Sequence, residues 1–193
     1  MNHILWIDAC VRKESRTRLL AEHVLSKLEG TVTKVDLDKE KIQPLTGNAL
    51  AERSKKAEEG AFTDPVFRYA LQLKDADEIV ISAPYWDLSF PAVLKTYLEA
   101  INIVGLTFCY TEDNRPVSMI KAKRLIYITT AGGEIVSDEP GFGYVRLVMN
   151  EFYGVCEFLY FKAENLDIIG SDPEDILNET RKEIDRTFLE EKI

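Results

Sequence analysis

Short, nearly continuous apolar runs, separated by stretches of helical period, constrain this chain more than any other feature. Residues 4–9, 78–83 (EIVISA), 124–130 and 155–162 read as strands. A strand with one wet face alternates polar and apolar residues, whereas one covered on both faces does not. Residues 32–37 add a fifth strand, with Val32, Thr33 and Val35 supplying β-branched bulk just after Thr31. Between the strands, Ser15 opens a helix with Leu20, Val24 and Leu28 on one stripe, closed by Gly30. Helical period recurs over 66–73, over 90–104 with Pro91 in the first turn, over 144–153, and after Asp172-Pro173. Residues 38–65 form a polar excursion with an exposed helix near 49–59, and 105–119 a small hairpin outside the sheet. Strands alternating with helices predict an α/β domain, a five-stranded parallel sheet with helices on both faces. Right-handed crossovers fit the strand order 2-1-3-4-5, although periodicity alone does not fix it.

The chain of 193 residues suits one domain spanning 1–193. Its 46% apolar and 30% charged residues are those of a globular protein. A net charge of -9 argues against a general nucleic-acid partner, which requires a basic face. Cys10, Cys109 and Cys156 have no paired or metal-ligand spacing, as expected in a reducing cytoplasm. The N-terminal MNHILWIDACV lacks a basic leader, and no apolar run approaches the roughly 20 residues that span a bilayer. A soluble cytoplasmic protein without a membrane or nucleic-acid partner is therefore expected.

In an open parallel sheet, ligands sit beyond the carboxyl ends of the strands where the strand order reverses. That rule selects three loops. The first runs from Cys10 through Arg12 to Ser15, Arg16 and Thr17 at a helix start, where amides, hydroxyls and the helix dipole suit a phosphate. Ser15 acting only as a cap, with solvated basic residues, explains the same string equally well. The second carries Pro84, Tyr85, Trp86, Asp87 and Leu88, adjacent aromatics between prolines that can wall a flat ring or simply pack. The third is Thr130, Ala131, Gly132 and Gly133, whose glycines permit close approach of backbone to a ligand or make a plain turn. No G-x-G-x-x-G or G-x-x-x-x-G-K-[ST] string is present. His3 and His23 lie far from these loops in sequence, and no hydrolase or zinc constellation appears.

At the Ser15-Arg16-Thr17 helix start, SAPYWDLSFPAVLKTYLEAI, GLTFCYT and TTAGG, the chain resembles the flavodoxin-like NAD(P)H:quinone oxidoreductases and FMN-dependent azoreductases. The likeness implies a flavodoxin-like three-layer sandwich, FMN as cofactor, and a homodimer to which Trp86 or 105–119 contributes. It implies hydride transfer from NADH or NADPH through FMN to a quinone, azo compound or nitroaromatic, in ping-pong fashion without a catalytic side chain. On this likeness Ser15, Arg16 and Thr17 hold the FMN phosphate with Cys10 and Arg12 nearby. Residues 84–88 then line the isoalloxazine, and Thr130, Ala131, Gly132 and Gly133 its other edge. Cys10 replaces a usual serine, Asp87 a common asparagine, and Ala131 an occasional arginine. A carboxylate at 87 facing flavin N1 would oppose negative charge on the reduced ring.

An electron-carrier flavodoxin shares the fold and FMN, but the 38–65 excursion and the 105–119 insertion favour an enclosed organic substrate. A phosphoacceptor signalling domain needs an acidic pair after strand one, where Asp8 stands alone, and an aspartate ending strand three, where the chain reads Ser82-Ala83-Pro84.

Overall fold

Strand β1 (His3–Asp8) lies between two other strands of the sheet and sends side chains into the core on each of its faces. The structure, a computed structural model, describes residues 2–190. After β1 come α1 (Arg16–Leu25), β2 (Thr31–Asp36), α2 (Leu37–Glu40), α3 (Gly47–Glu58), α4 (Arg68–Asp75) and β3 (Glu78–Ser82). The second half adds α5 (Ala92–Ile101), β4 (Phe108–Tyr110), β5 (Pro116–Ser118), β6 (Arg124–Thr130), α6 (Tyr144–Tyr153), β7 (Glu157–Ala163) and α7 (Pro173–Glu190). Five strands form a parallel sheet ordered β2-β1-β3-β6-β7, with β4 and β5 as a separate antiparallel pair. Leaving out that pair, the order is the expected 2-1-3-4-5. The fold is flavodoxin-like.

Successive side chains point to opposite faces, so each central strand feeds two cores. Leu5, Ile79 and Leu125 share one row across β1, β3 and β6. With Ile7, Ile81 and Tyr127 they pack under α4, α5 and α6 through Leu73, Leu94, Tyr97 and Met149. Ile4, Trp6, Val80 and Ile126 turn the other way, onto Leu20 and Val24 of α1 and Ile184 and Phe188 of α7. Both faces of β3 are buried throughout, which is why its sequence shows no alternation.

The departures from sequence expectation lie at edges and ends. Helix α1 stops at Leu25, short of Gly30, with tighter turns donating from Lys27 and Leu28. Gly30 has φ +152, and a Cβ there would stand 2.3 Å from the Asn2 carbonyl oxygen, so the chain enters β2 where no side chain fits. Strand β2 ends at Asp36 because Leu37 turns inward to begin α2. Strand β7 begins at Glu157, two residues late, because left-handed Gly154 closes α6, the Val155 amide still donates back to Met149, and the amides of Cys156 and Glu157 both donate to the Lys123 carbonyl. Helix α3 contains no buried residue, as its polar sequence indicates.

Candidate functional site

The carboxyl ends of β1, β3 and β6 bring the three expected loops together. At the end of β1, the Asp8 carboxylate is fully buried and accepts four bonds. Its Oδ1 takes the Cys10 amide and the Ser82 hydroxyl, both at 3.1 Å. Its Oδ2 takes Arg18 Nε at 2.7 Å and Lys34 Nζ at 2.8 Å. Burial alone would raise its pKa, but bonds from Lys34, Arg18 and Cys10 outweigh it and hold the carboxyl below the usual range. The neighbouring Cys10 thiol is pushed up to about 12 by burial and by Asp8, so it stays protonated at neutral pH. Ser15 caps α1, accepting from the Arg18 amide. Among the described residues, no backbone amide from Val11 to Thr17 donates to a protein acceptor.

The second loop leaves β3 with the Tyr85 amide bonded to the Thr130 carbonyl at 2.9 Å. Trp86 and Ser89 then exchange two backbone bonds, 2.9 and 2.8 Å, around Asp87 and Leu88, both left-handed at φ 49 and 67. This is a tight two-residue hairpin turn of a kind that usually carries Asn-Gly. Leu88 has no glycine freedom and is exposed, so the turn holds strain that its own packing does not explain. Leu88→Gly is expected to stabilise the fold by about 0.5–1 kcal/mol, seen in a thermal melt as a rise of about 1–4 °C. An unchanged or lower Tm would show that the turn is relaxed.

The segment 137–143, which sequence reading left unassigned, clamps this turn. Ser89 Oγ donates to the Pro140 carbonyl, Tyr85 hydroxyl to that of Ser137 at 3.4 Å, and Gly141 faces the Tyr85 ring. Its Pro140-Gly141 pair and Gly143 were the available signal for a turn.

In the third loop, Thr130 Oγ1 meets Thr17 Oγ1 at 2.7 Å in a buried bond that ties the first loop to the third. Gly132 admits Asp167 so closely that a Cβ would stand 2.5 Å from its carboxylate oxygen. Asp167 and Leu166 come from the loop after β7, which sequence reasoning did not include. They reach the site because the Leu166 and Asp167 amides bond the carbonyls of Ala131 and Gly132.

Together these loops enclose a cleft of about 510 Å³, within the size range of small-molecule sites. Cys10, Arg12, Ser15, Arg16 and Thr17 line it from the first loop, and Pro84, Tyr85 and Trp86 from the second. Thr130, Ala131 and Gly132 line it from the third, beside Leu166 and Asp167. Asp87, Leu88 and Gly133 stand outside this lining, with Asp87 exposed at the tip of its turn. Arg16 pairs with Asp167 at 2.7 Å, and the Arg12 guanidinium lies 5.9 Å from the Trp86 ring centroid. His3 bonds Thr33 at the opposite end of β1, and His23 bonds Asp185 on α7. Among the described residues, no three His, Cys, Asp or Glu side chains stand close enough to hold a metal ion.

The cleft thus has a polar end of unspent amides at a helix start and an aromatic end at Tyr85 and Trp86. That arrangement suits a flat ring carrying an anionic tail. A family model described as flavodoxin-like fold matches residues 2–188. The FMN-dependent NADH:quinone oxidoreductase 2 of Clostridium acetobutylicum is 35% identical over 192 residues, covering 93% of this chain and 94% of that protein. The FMN-dependent NADH:quinone oxidoreductase of Coprothermobacter proteolyticus is 33% identical over 197 residues, covering 96% and 98%. Among solved structures, an azoreductase from Bacillus anthracis superposes with a TM-score of 0.83 at 25% identity, covering 97% of this chain and 99% of that one. The chain belongs to the flavodoxin-like family, among relatives named as FMN-dependent NADH:quinone oxidoreductases.

Proposed function

We propose that this chain is an FMN-dependent NADH oxidoreductase acting on quinones or azo compounds, built as one domain over its whole length. The observation that carries the reading is the row of amides from Val11 to Thr17 without protein acceptors, at the polar end of a ring-sized cleft. Ser15, Arg16 and Thr17 hold the FMN phosphate, with Cys10 and Arg12 beside it. Pro84 to Trp86 wall the isoalloxazine, with Asp87 and Leu88 forming the turn beyond them, and Thr130 to Gly132 approach its other edge. FMN, when bound, supplies the two-electron chemistry between the nicotinamide and the acceptor. The chain's own residues orient the ring; the buried thiol of Cys10 stays neutral beneath the site.

NADH is the donor carried by the relatives' names, and NADPH and nitroaromatics are further candidates for the same open face. A homodimer fits the exposed apolar side chains of Val104, Tyr110 and Val117 on and beside the β4–β5 hairpin. A cytoplasmic location fits the unpaired cysteines, and no described helix is long and apolar enough to cross a membrane.

The test is anaerobic mixing of the flavin-loaded protein with NADH, then with a quinone. Bleaching of the flavin bands followed by their return is expected. Bands that survive both NADH and NADPH would defeat the reductase reading in favour of an electron carrier.

Arg16 also gives a graded prediction. Its partner Asp167 competes with a phosphate for the same guanidinium, and their side chains are 40% and 63% exposed. Such a pair is worth only about 0–1 kcal/mol. Asp167→Asn is therefore expected to tighten FMN binding by about two- to fivefold, read by quenching of flavin fluorescence. Weaker binding would mean that Asp167 supports the ligand instead of competing with it.

A further inference from the structure

Arg18 is outside the cleft lining, yet its guanidinium gathers the backbone of the loop that forms the polar end. Nε bonds Asp8 at 2.7 Å. One terminal nitrogen donates to the carbonyls of Arg12 at 2.9 Å and Lys13 at 3.1 Å, and the other donates to that of Cys10. A trans peptide unit points its carbonyl and its amide in opposite directions. Drawing the carbonyls of Cys10, Arg12 and Lys13 onto one cation therefore turns the amides of Val11, Lys13 and Glu14 away from it. These amides find no protein acceptor, and Val11 and Glu14 line the cleft.

The cation is itself held in place. The fully buried Asp8 fixes Nε, and Asp8 is pinned in turn by Lys34 from β2 and Ser82 from β3. Trp6 completes the arrangement, donating its indole N–H to Ser82 Oγ at 2.9 Å while its ring lies 3.9 Å below the Lys34 ammonium. A planar fork of five donors can hold three carbonyls and a carboxylate at once, which a point-charge ammonium cannot do with the same geometry.

We infer that Arg18 is a positioning residue that keeps the first loop in its anion-accepting form, and so sets the preference for a phosphorylated flavin over its unphosphorylated parent. The inference rests on the proposal that this loop takes the FMN phosphate. It predicts an effect on one end of the ligand only. The test strips the flavin from the wild type, Arg18→Lys and Arg18→Met, and titrates each with FMN and with riboflavin, following fluorescence quenching. Thermal melts identify the folded variants, and Arg18→Lys retains a cation at this position if Arg18→Met does not fold.

In the variants FMN is expected to bind about tenfold more weakly, while riboflavin affinity changes little. Arg18→Lys is expected to recover stability more fully than it recovers the FMN preference. Equal losses for both ligands would make Arg18 a merely structural residue and overturn the inference, as would no loss for either. A wild type that does not prefer FMN to riboflavin would defeat the phosphate assignment itself, and is distinguishable because it needs no Arg18 variant.

Discussion

Asp8→Ala is expected to lower the unfolding free energy by about 3 kcal/mol, a fall in Tm of about 6–12 °C for a chain of this size. The carboxylate has no solvent exposure and satisfies four donors from four separate parts of the chain. Its removal leaves Arg18 and Lys34 side by side without their shared anion, and leaves the Cys10 amide and Ser82 hydroxyl without their acceptor. The estimate sits at the low end for breaking a buried pair, because both cations keep some contact with water. The pH dependence follows from the depressed pKa. A carboxyl held below its unfolded value contributes stability that is complete above about pH 4 and fades as pH falls through the folded value. The gap between wild type and Asp8→Asn is therefore expected to narrow as pH falls from 5 toward 2, measured by urea denaturation at each pH. A constant gap would place the stabilisation in packing instead of charge.

Ile79→Ala is expected to cost a similar amount, about 3–4 kcal/mol, for a different reason. Ile79 is fully buried in the central strand, between Leu5 and Leu125 in the same row and beneath α4 and α5. Truncation removes apolar burial and leaves a cavity that strands paired on both edges cannot collapse to fill. The row lies toward the amino end of the strands, away from the cleft. Urea unfolding should therefore show the loss, while the relative affinity for FMN and riboflavin stays at the wild-type value. A cost below about 1 kcal/mol would mean that the two sheet faces repack easily.

The contrast between these two sites explains what the sequence reveals and what it hides. Strand β6 is legible to its last residue because burial on both faces leaves the apolar run from Leu125 to Ile128, which the β-branched Thr129 and Thr130 extend to the loop. Strands β1, β2 and β7 shift by one or two residues at their ends, where the pattern of the strand gives way to the geometry of the adjoining turns. The three loops are legible because topology alone sends the ends of β1, β3 and β6 to one edge. Asp8, however, reads along the chain as an interruption in an apolar run. Its meaning depends on Arg18, Lys34 and Ser82, which only strand register and the α1 fold-back bring to it. The Asp87-Leu88 turn is hidden for the opposite reason: the geometry is local, but the residue that would announce it, a glycine, is missing. Leu166 and Asp167 arrive through backbone bonds to the third loop, which leave no periodic trace.

The knot around Asp8 also fixes when the site can exist. Residues 10–18 contain the loop, its cap and the guanidinium, yet not the carboxylate or ammonium that hold them. Those come from β1 and β2, and the hydroxyl comes from β3. Because these anchors lie on three strands, the flavin is expected to arrive at a finished pocket and not to template one. Ligand energy gained after the folding barrier lengthens the life of the folded state without hastening its formation. Excess FMN should accordingly slow unfolding and leave the refolding rate unchanged, so that a cell short of flavin accumulates a folded but shorter-lived protein.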